Sequence, residues 1–488
     1  MRRAFAFLLV LLLLPGAVQA EGFQSFLEVA LASSQGEALE AAQAAREAAL
    51  REQRASLLPN VGLSVPLEVQ DEVRAHSEVE GVGSVDVHHR VSVMPGVGLS
   101  ATQLLPTGGT LAGSLQGSFS YSDVGEVEPE AAASLLGYSL DPARSLSVSL
   151  GISLSQPLAT GVFGAVRDQL RLREEEAALS SLSARNELVR AAAEDYFHLL
   201  VLAYRRHLAE ERMKATVARA ERIERESALG LWTRTALLQS RAEAEREKLA
   251  FEEAEAGYRE FASYVQEAYG LTTLPEESEL APFPAPGLTV EEVVARSPEV
   301  RRASVAAGLE RAGVVLVRRD VAPSIEVSLG ASHSRSLDED EYTTGLQGAA
   351  SLSLRLADGG AAAGRIEAAE ARARRAEAEW ATVQAGVRMR AASLLGKIAR
   401  YERQREVDAM LVEAARMELE VAERDLEAGR TTVHAVQEKK LALDGALLEA
   451  FQHTVDYNLA VLEVWSLAGY DLVDLVRSGF AGRGEARR

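Results

Sequence analysis

Pro323-Ser324-Ile325-Glu326-Val327-Ser328-Leu329-Gly330-Ala331-Ser332 decides the fold. Ile325, Val327, Leu329 and Ala331 alternate with Glu326, Ser328, Gly330 and Ser332, the period of two that sends successive side chains to opposite faces of a strand. A polar, acidic loop follows over 334–344. The chain then returns with Leu346, Ala350, Leu352, Leu354 and Leu356 set against Gln347, Ser351, Ser353 and Arg355. Each strand is about ten residues, the length of a tilted strand crossing a bilayer. One face suits lipid and the other suits water. Directly after this hairpin, 364–428 runs without proline and is rich in Ala, Glu, Arg and Leu. That composition predicts one very long helix with coiled-coil-like packing. At ~1.5 Å per residue it reaches roughly 100 Å.

The same plan occurs earlier in the chain. Leu58-Pro59-Asn60-Val61-Gly62-Leu63-Ser64 parallels Ala322 to Ser328 at an offset of 264, while Ala228-Leu229-Gly230 parallels Glu427-Ala428-Gly429, and Tyr269-Gly270 parallels Ala468-Gly469, at 199. The chain is therefore a repeat, and the two offsets differ by 65, the length of an insertion in the first half. Each half reads helix, strands, very long helix, turn, return helix. The first helix spans 23–57, with a weak point at 33–36, and Pro59 ends it. In the second half Ser297-Pro298 reads as an N-cap followed by proline at the first helical position, with the helix running to Arg319. The long helices are placed at 165–229 and 364–428. Gly230 and Gly429 supply the turns, and the return helices end at Gly270 and Gly469. Pro275, Pro282, Pro284, Pro286 and Gly287 mark the boundary between halves. The organisation expected is a leader over 1–20, a first repeat over 21–274 with a long insert at 70–145, a linker over 275–289, a second repeat over 290–470 with its hairpin at 323–356, and a tail over 471–488.

In the first half the strands carry Val61, Leu63, Val65 and Leu67, then Leu146, Val148, Leu150, Ile152 and Leu154. Pro66 interrupts the first of them, since proline gives a ladder no donor. The insert holds two more alternating runs: Val97, Leu99 and Ala101, then Leu111, Leu115, Phe119 and Tyr121. Pro106-Thr107-Gly108-Gly109 forms a turn between them. So few strands beside rod-like helices leave little material for a soluble sandwich. A barrel closed by several chains satisfies both the sheet edges and the lipid-facing residues.

The chain starts Met1-Arg2-Arg3, continues apolar through 4–14, breaks at Pro15-Gly16 and offers Val18-Gln19-Ala20. That is the pattern of a secretory signal cleaved before Glu21; the apolar run is too short to span a membrane. Loss of the two arginines with it takes the net charge from −20 to −22. Such acidity disfavours nucleic acid, whose phosphates need a basic face. It suits either a cation-tolerant passage or the solubility of long helices. With no cysteine in 488 residues, disulfides, thiolate metal sites and cysteine nucleophiles are excluded.

At this point the residues resemble a known family. Ala55-Ser56-Leu57-Leu58-Pro59, Leu154-Ser155-Gln156-Pro157-Leu158 with Gly161-Val162-Phe163-Gly164, Leu356-Ala357-Asp358-Gly359-Gly360, Ala193-Glu194-Asp195-Tyr196-Phe197, and Asp456-Tyr457 to Gly469 are similar, in order and duplication, to the TolC family of outer-membrane efflux and export channels. The resemblance implies a mainly α protein with a membrane β-barrel portion: an outer-membrane barrel and a long-helix periplasmic α-barrel, each shared between three protomers. It implies a homotrimer in outer-membrane lipid, a passive conduit of a tripartite efflux or type I secretion system, partnered by a periplasmic adaptor and an inner-membrane pump, with no cofactor. The usual protomer of that family gives four strands. The inserted hairpin either adds two or folds outside the barrel.

By the same resemblance the second tip should carry two acidic residues forming a gate. They align with Ala435 and Glu438, so only Glu438 is acidic. The family's tip-locking tyrosine and arginine align with Leu426 and Thr431, and Arg430 is adjacent to the latter. The tips themselves are Gly230 with Trp232 and Arg234, and Gly429. Trp232 is either an adaptor or pump contact or a ring packed between helices. No catalytic site is expected: no histidine pair has H-E-x-x-H spacing, His88-His89 sits in the insert, and neither G-x-S-x-G nor G-x-x-x-x-G-K-[ST] occurs. The alternative function is a periplasmic coiled-coil scaffold or adaptor with docking hairpins.

Overall fold

The computed structural model describes residues 20–55, 58–72, 75–79, 83–105, 109–128, 143–158, 162–271, 280–337, 341–353 and 358–480. Apart from Ala20, the expected leader lies outside them. The order of elements is α1 (Ala20–Leu31), α2 (Ser34–Ala55), β1 (Asn60–Ser64), β2 (Leu67–Glu72), β3 (Ala75–Val79), β4 (Gly83–Leu104), β5 (Thr110–Glu128), β6 (Ala143–Pro157), α3 (Val162–Ala228), α4 (Arg234–Tyr269), α5 (Val290–Arg296), α6 (Pro298–Val321), β7 (Ser324–Ser336), β8 (Tyr342–Ser353), α7 (Ala361–Glu427), α8 (Val433–Leu467) and α9 (Leu472–Arg477). The fold is mainly helical with one sheet, and its second half repeats its first. The two long helices, α3 and α7, are each 67 residues. The first helix divides at the weak point. A Cβ on Gly36 would stand 1.8 Å from the Leu31 carbonyl oxygen, so only glycine lets the chain restart a helix there. Ser297 stands at the expected N-cap position ahead of Pro298, its carbonyl accepting from the Arg301 amide at 3.0 Å, but its buried hydroxyl has no partner.

The chain divides into two compact units, one of residues 1–46, 175–304 and 378–488, the other of 47–174 and 305–377. The first is a helical packing around an aromatic cluster. Tyr196 and Phe197 are fully buried and touch Phe23, Phe26 and Phe283 within 6.3 Å between ring centroids. The Phe480 ring packs at a tilt against Phe283, 4.5 Å between centroids. The segment expected as a tail is thus folded as far as Phe480, with α9 buried through Leu472, Val473 and Val476. Two buried asparagines hold the irregular backbone. Asn186 donates to the Tyr470 carbonyl at 2.8 Å and accepts from the Leu472 amide at 3.0 Å. Asn458 donates to the Ala281 carbonyl at 3.0 Å and accepts from the Phe283 amide at 2.6 Å. A side-chain amide offers a donor and an acceptor on one planar group, so each asparagine satisfies backbone groups that no regular element satisfies.

The second unit is a single antiparallel sheet with the helix ends that feed it. β1, β2 and β3 lie end to end along β4, followed by β5, β6, β7 and β8, so the sheet is six strands wide. The inserted strands β4 and β5 stand inside this order, between β1 and β6, and do not fold outside it. They are 22 and 19 residues long, twice the length expected, and pair with each other beyond the last rung between β5 and β6. Pro66 falls between β1 and β2 without loss of register. Its carbonyl accepts from the Gly96 amide at 2.8 Å, and a Cβ on Gly96 would come 3.1 Å from the proline ring. Helix ends in this unit are joined by ion pairs: Arg54 to Glu174, Arg311 to Glu377 and Arg318 to Glu370, each at 2.7 Å.

Candidate functional site

The sheet sorts its side chains into two faces, and the register shows the sorting across all six strands. Leu63, Leu99, Leu115, Leu150, Ala331 and Leu346 form one continuous row. Val61, Ala101, Gly113, Ile152, Leu329 and Gly348 form the next row on that face. The large residues are open to solvent, Leu63 at 72% and Leu346 at 86%. Leaving such a row in water forfeits ~1.5–3 kcal/mol per side chain, a cost that an apolar phase removes. The opposite face carries Gly62, Ser100, Ser114, Gly151, Gly330 and Gln347 in one row and Ser64, Gly98, Gln116, Ser149, Ser332 and Gly345 in another. Serines bond across it, Ser118 to Ser147 and Ser120 to Ser145, each at 2.7 Å. β1 and β8 are the sheet's edges among the described residues.

The two tips are built alike. At Gly230 (φ +77°) and Gly429 (φ +69°) the backbone enters the left-handed region that a side chain resists. The Leu231 amide donates back to the Glu226 carbonyl at 3.1 Å and the Arg430 amide to the Asp425 carbonyl at 2.7 Å, the Schellman closure of a helix end. Three residues after each glycine a threonine caps the return helix. Thr233 accepts from the Ala236 amide at 3.2 Å and Thr432 from the Ala435 amide at 3.3 Å. The sequence reading found the glycines and missed these caps, although Thr233 and Thr432 lie at the same offset of 199.

The other residues singled out at the tips have separate surroundings. Trp232 is 46% exposed, and its indole N–H donates to Glu226 at 2.6 Å. Arg234 is exposed. Arg430 pairs with Asp425 of its own tip at 2.8 Å. The Glu438 side chain is 61% exposed, with its carboxylate 3.1 Å from His434 Nε2 but without hydrogen-bond alignment. Further along the α7–α8 pair, the sequence reading missed Asp408. It is 5% exposed, faces His453 Nδ1 at 2.8 Å and accepts from Gln404 at 3.0 Å. Nothing in the spacing of Asp408 and His453 marks them as partners, because the pairing depends on the register of two helices. The side chains of His76, His88 and His89 lie outside the described ones, and no described helix is long and apolar enough to cross a membrane.

Residues 289–469 match the family described as outer membrane efflux protein. The Campylobacter jejuni CmeC outer membrane channel is similar over 96% of this chain and 91% of its own, at 13% identity and a TM-score of 0.60. The Vibrio cholerae outer membrane protein VceC is similar over 91% and 96%, at 14% identity and 0.60. The open state of the Neisseria gonorrhoeae MtrE outer membrane channel is similar over 92% and 89%, at 14% identity and 0.58. No curated protein matches the sequence. The second repeat carries the signature of the outer membrane efflux protein family, and the chain as a whole has the TolC-like fold of outer-membrane channels.

Proposed function

We propose that the protein is the outer-membrane channel of a tripartite efflux or type I secretion system, a passive conduit for what an inner-membrane pump delivers. In this reading it leaves the cytoplasm on a signal peptide over 1–20 and assembles as a homotrimer. Its barrel portion sits in outer-membrane lipid, and its helical portion stands in the periplasm. The two repeats, 21–274 and 290–470 about the linker 275–289, supply both portions, with 471–488 as the C-terminal segment. A periplasmic adaptor and the pump engage the tips, where Gly230, Trp232, Arg234 and Gly429 are exposed. Arg430 and Glu438 act at the narrow end.

One observation carries this reading: a sheet with one face of leucine, valine, isoleucine and small residues whose large side chains are exposed, the other mostly of serine and glycine, and two open edges. Such a sheet satisfies its edges and its apolar face together only as part of a closed barrel in lipid. The scaffold alternative leaves those rows in water. Planar-bilayer recording of the purified protein tests the proposal. Discrete channels are expected, and a protein that never conducts would overturn it. Glu438→Gln is expected to lower cation preference, because three carboxylates around a narrow passage concentrate negative potential. Unchanged selectivity would remove Glu438 from the constriction.

A further inference from the structure

We infer that each copy builds six strands of the outer-membrane wall, so that three copies close a barrel of eighteen strands. This rests on the trimeric channel reading above and deepens it. The inserted strands obey the same facial code as the strands that flank them. Leu99 and Leu115, both inserted, stand in the row that joins Leu63 to Leu150, and Ser100 and Ser114 stand in the row that joins Gly62 to Gly151. A hairpin folded outside the wall would have no reason to keep oily and wet faces in register with its neighbours. It would also not separate β1 from β6, as β4 and β5 do.

Strand direction permits closure. The six strands alternate in direction, so β1 and β8 run antiparallel, and β8 of one copy can pair with β1 of the next in the same sense as every other rung. The extra pair changes the size of the opening. With strands ~4.8 Å apart and tilted by ~40°, eighteen give a backbone diameter of about 36 Å, and twelve would give about 24 Å. The inward face is narrowed little, since serine and glycine line most of it. The exit therefore accommodates bulkier cargo than a twelve-strand wall, and sorting by size falls to the helical part.

The absence of cysteine makes single-site spin labelling direct. Labels at 63, 99, 115 and 150 in membrane-reconstituted protein are expected to be relaxed more strongly by oxygen, which partitions into lipid, than by a water-soluble nickel chelate. Labels at 100 and 114 should show the reverse order. If 63 and 150 report lipid while 99 and 115 do not, the hairpin lies outside the wall; the inference fails and the channel survives. If none of the four reports lipid, the channel reading itself fails. An electron-microscopic map of the unlabelled wild-type trimer gives the count independently of any variant: eighteen strands support the inference, and twelve overturn it.

Discussion

At the scale of single residues, the helical unit depends on polar side chains that close irregular backbone. Asn458→Ala removes both partners of the Ala281 carbonyl and the Phe283 amide, and each buried group left unpaired costs ~1–3 kcal/mol. The expected result is a lower unfolding temperature and faster proteolysis within 280–289, with Asn458→Asp intermediate because it keeps the acceptor. Unfolding curves and cleavage rates of the purified protein measure this. Glu28 and Arg477 give a smaller, pH-dependent contribution. Their paired hydrogen bonds at 2.7 and 2.9 Å hold the Glu28 carboxyl below the usual carboxylate range. Because the folded value is depressed, the stabilisation is present above about pH 4.3 and is lost as pH falls through the lower folded value. Both groups are largely solvated, so Glu28→Gln should cost no more than ~1 kcal/mol at neutral pH. It should also flatten the acid limb of a stability-versus-pH curve. None of these partnerships was legible in the sequence, since each joins segments far apart in the chain.

At the scale of elements, the strands and the tips make opposite demands. Leu115→Arg places a charge on the apolar face and should cost ~2–4 kcal/mol of insertion energy if that position lies near mid-membrane, while Ser114→Arg, one residue away on the wet face, should leave assembly intact. Yield of membrane-extracted trimer separates the two. At the tips, Gly230→Val and Gly429→Val force a β-branched residue into the left-handed region, at ~1–2 kcal/mol or more each. Thr233→Ala and Thr432→Ala remove a cap at ~0.5–2 kcal/mol. All four changes should loosen the tips without reducing barrel assembly, as hydrogen exchange confined to the turns would report. Element order and type were legible here. Period-two alternation and proline-free Ala/Glu/Arg/Leu runs reflect faces and lengths directly, and both 67-residue helices begin and end within three residues of the expected bounds. The length of β4 and β5 was not legible, because a mixed polar run such as 68–92 carries no clear second face. Nor was the division of the first helix, which turns on the close approach at Gly36.

At the scale of the whole molecule, duplication made the fold readable. Matching offsets of 264 and 199 placed hairpins, turns and return helices in both halves. They also isolated the insertion that widens the sheet to six strands. The proposed gate was less readable, since a constriction shared between copies would leave in one chain only what is seen here, an exposed Glu438 and a self-paired Arg430. The central claim, that these two-faced sheets join in lipid, is tested most directly by density-gradient fractionation of Gram-negative cells expressing the full-length chain. The account predicts the mature protein in the outer-membrane fractions as a stable oligomer that resists extraction by salt. Recovery as a soluble periplasmic monomer would contradict it.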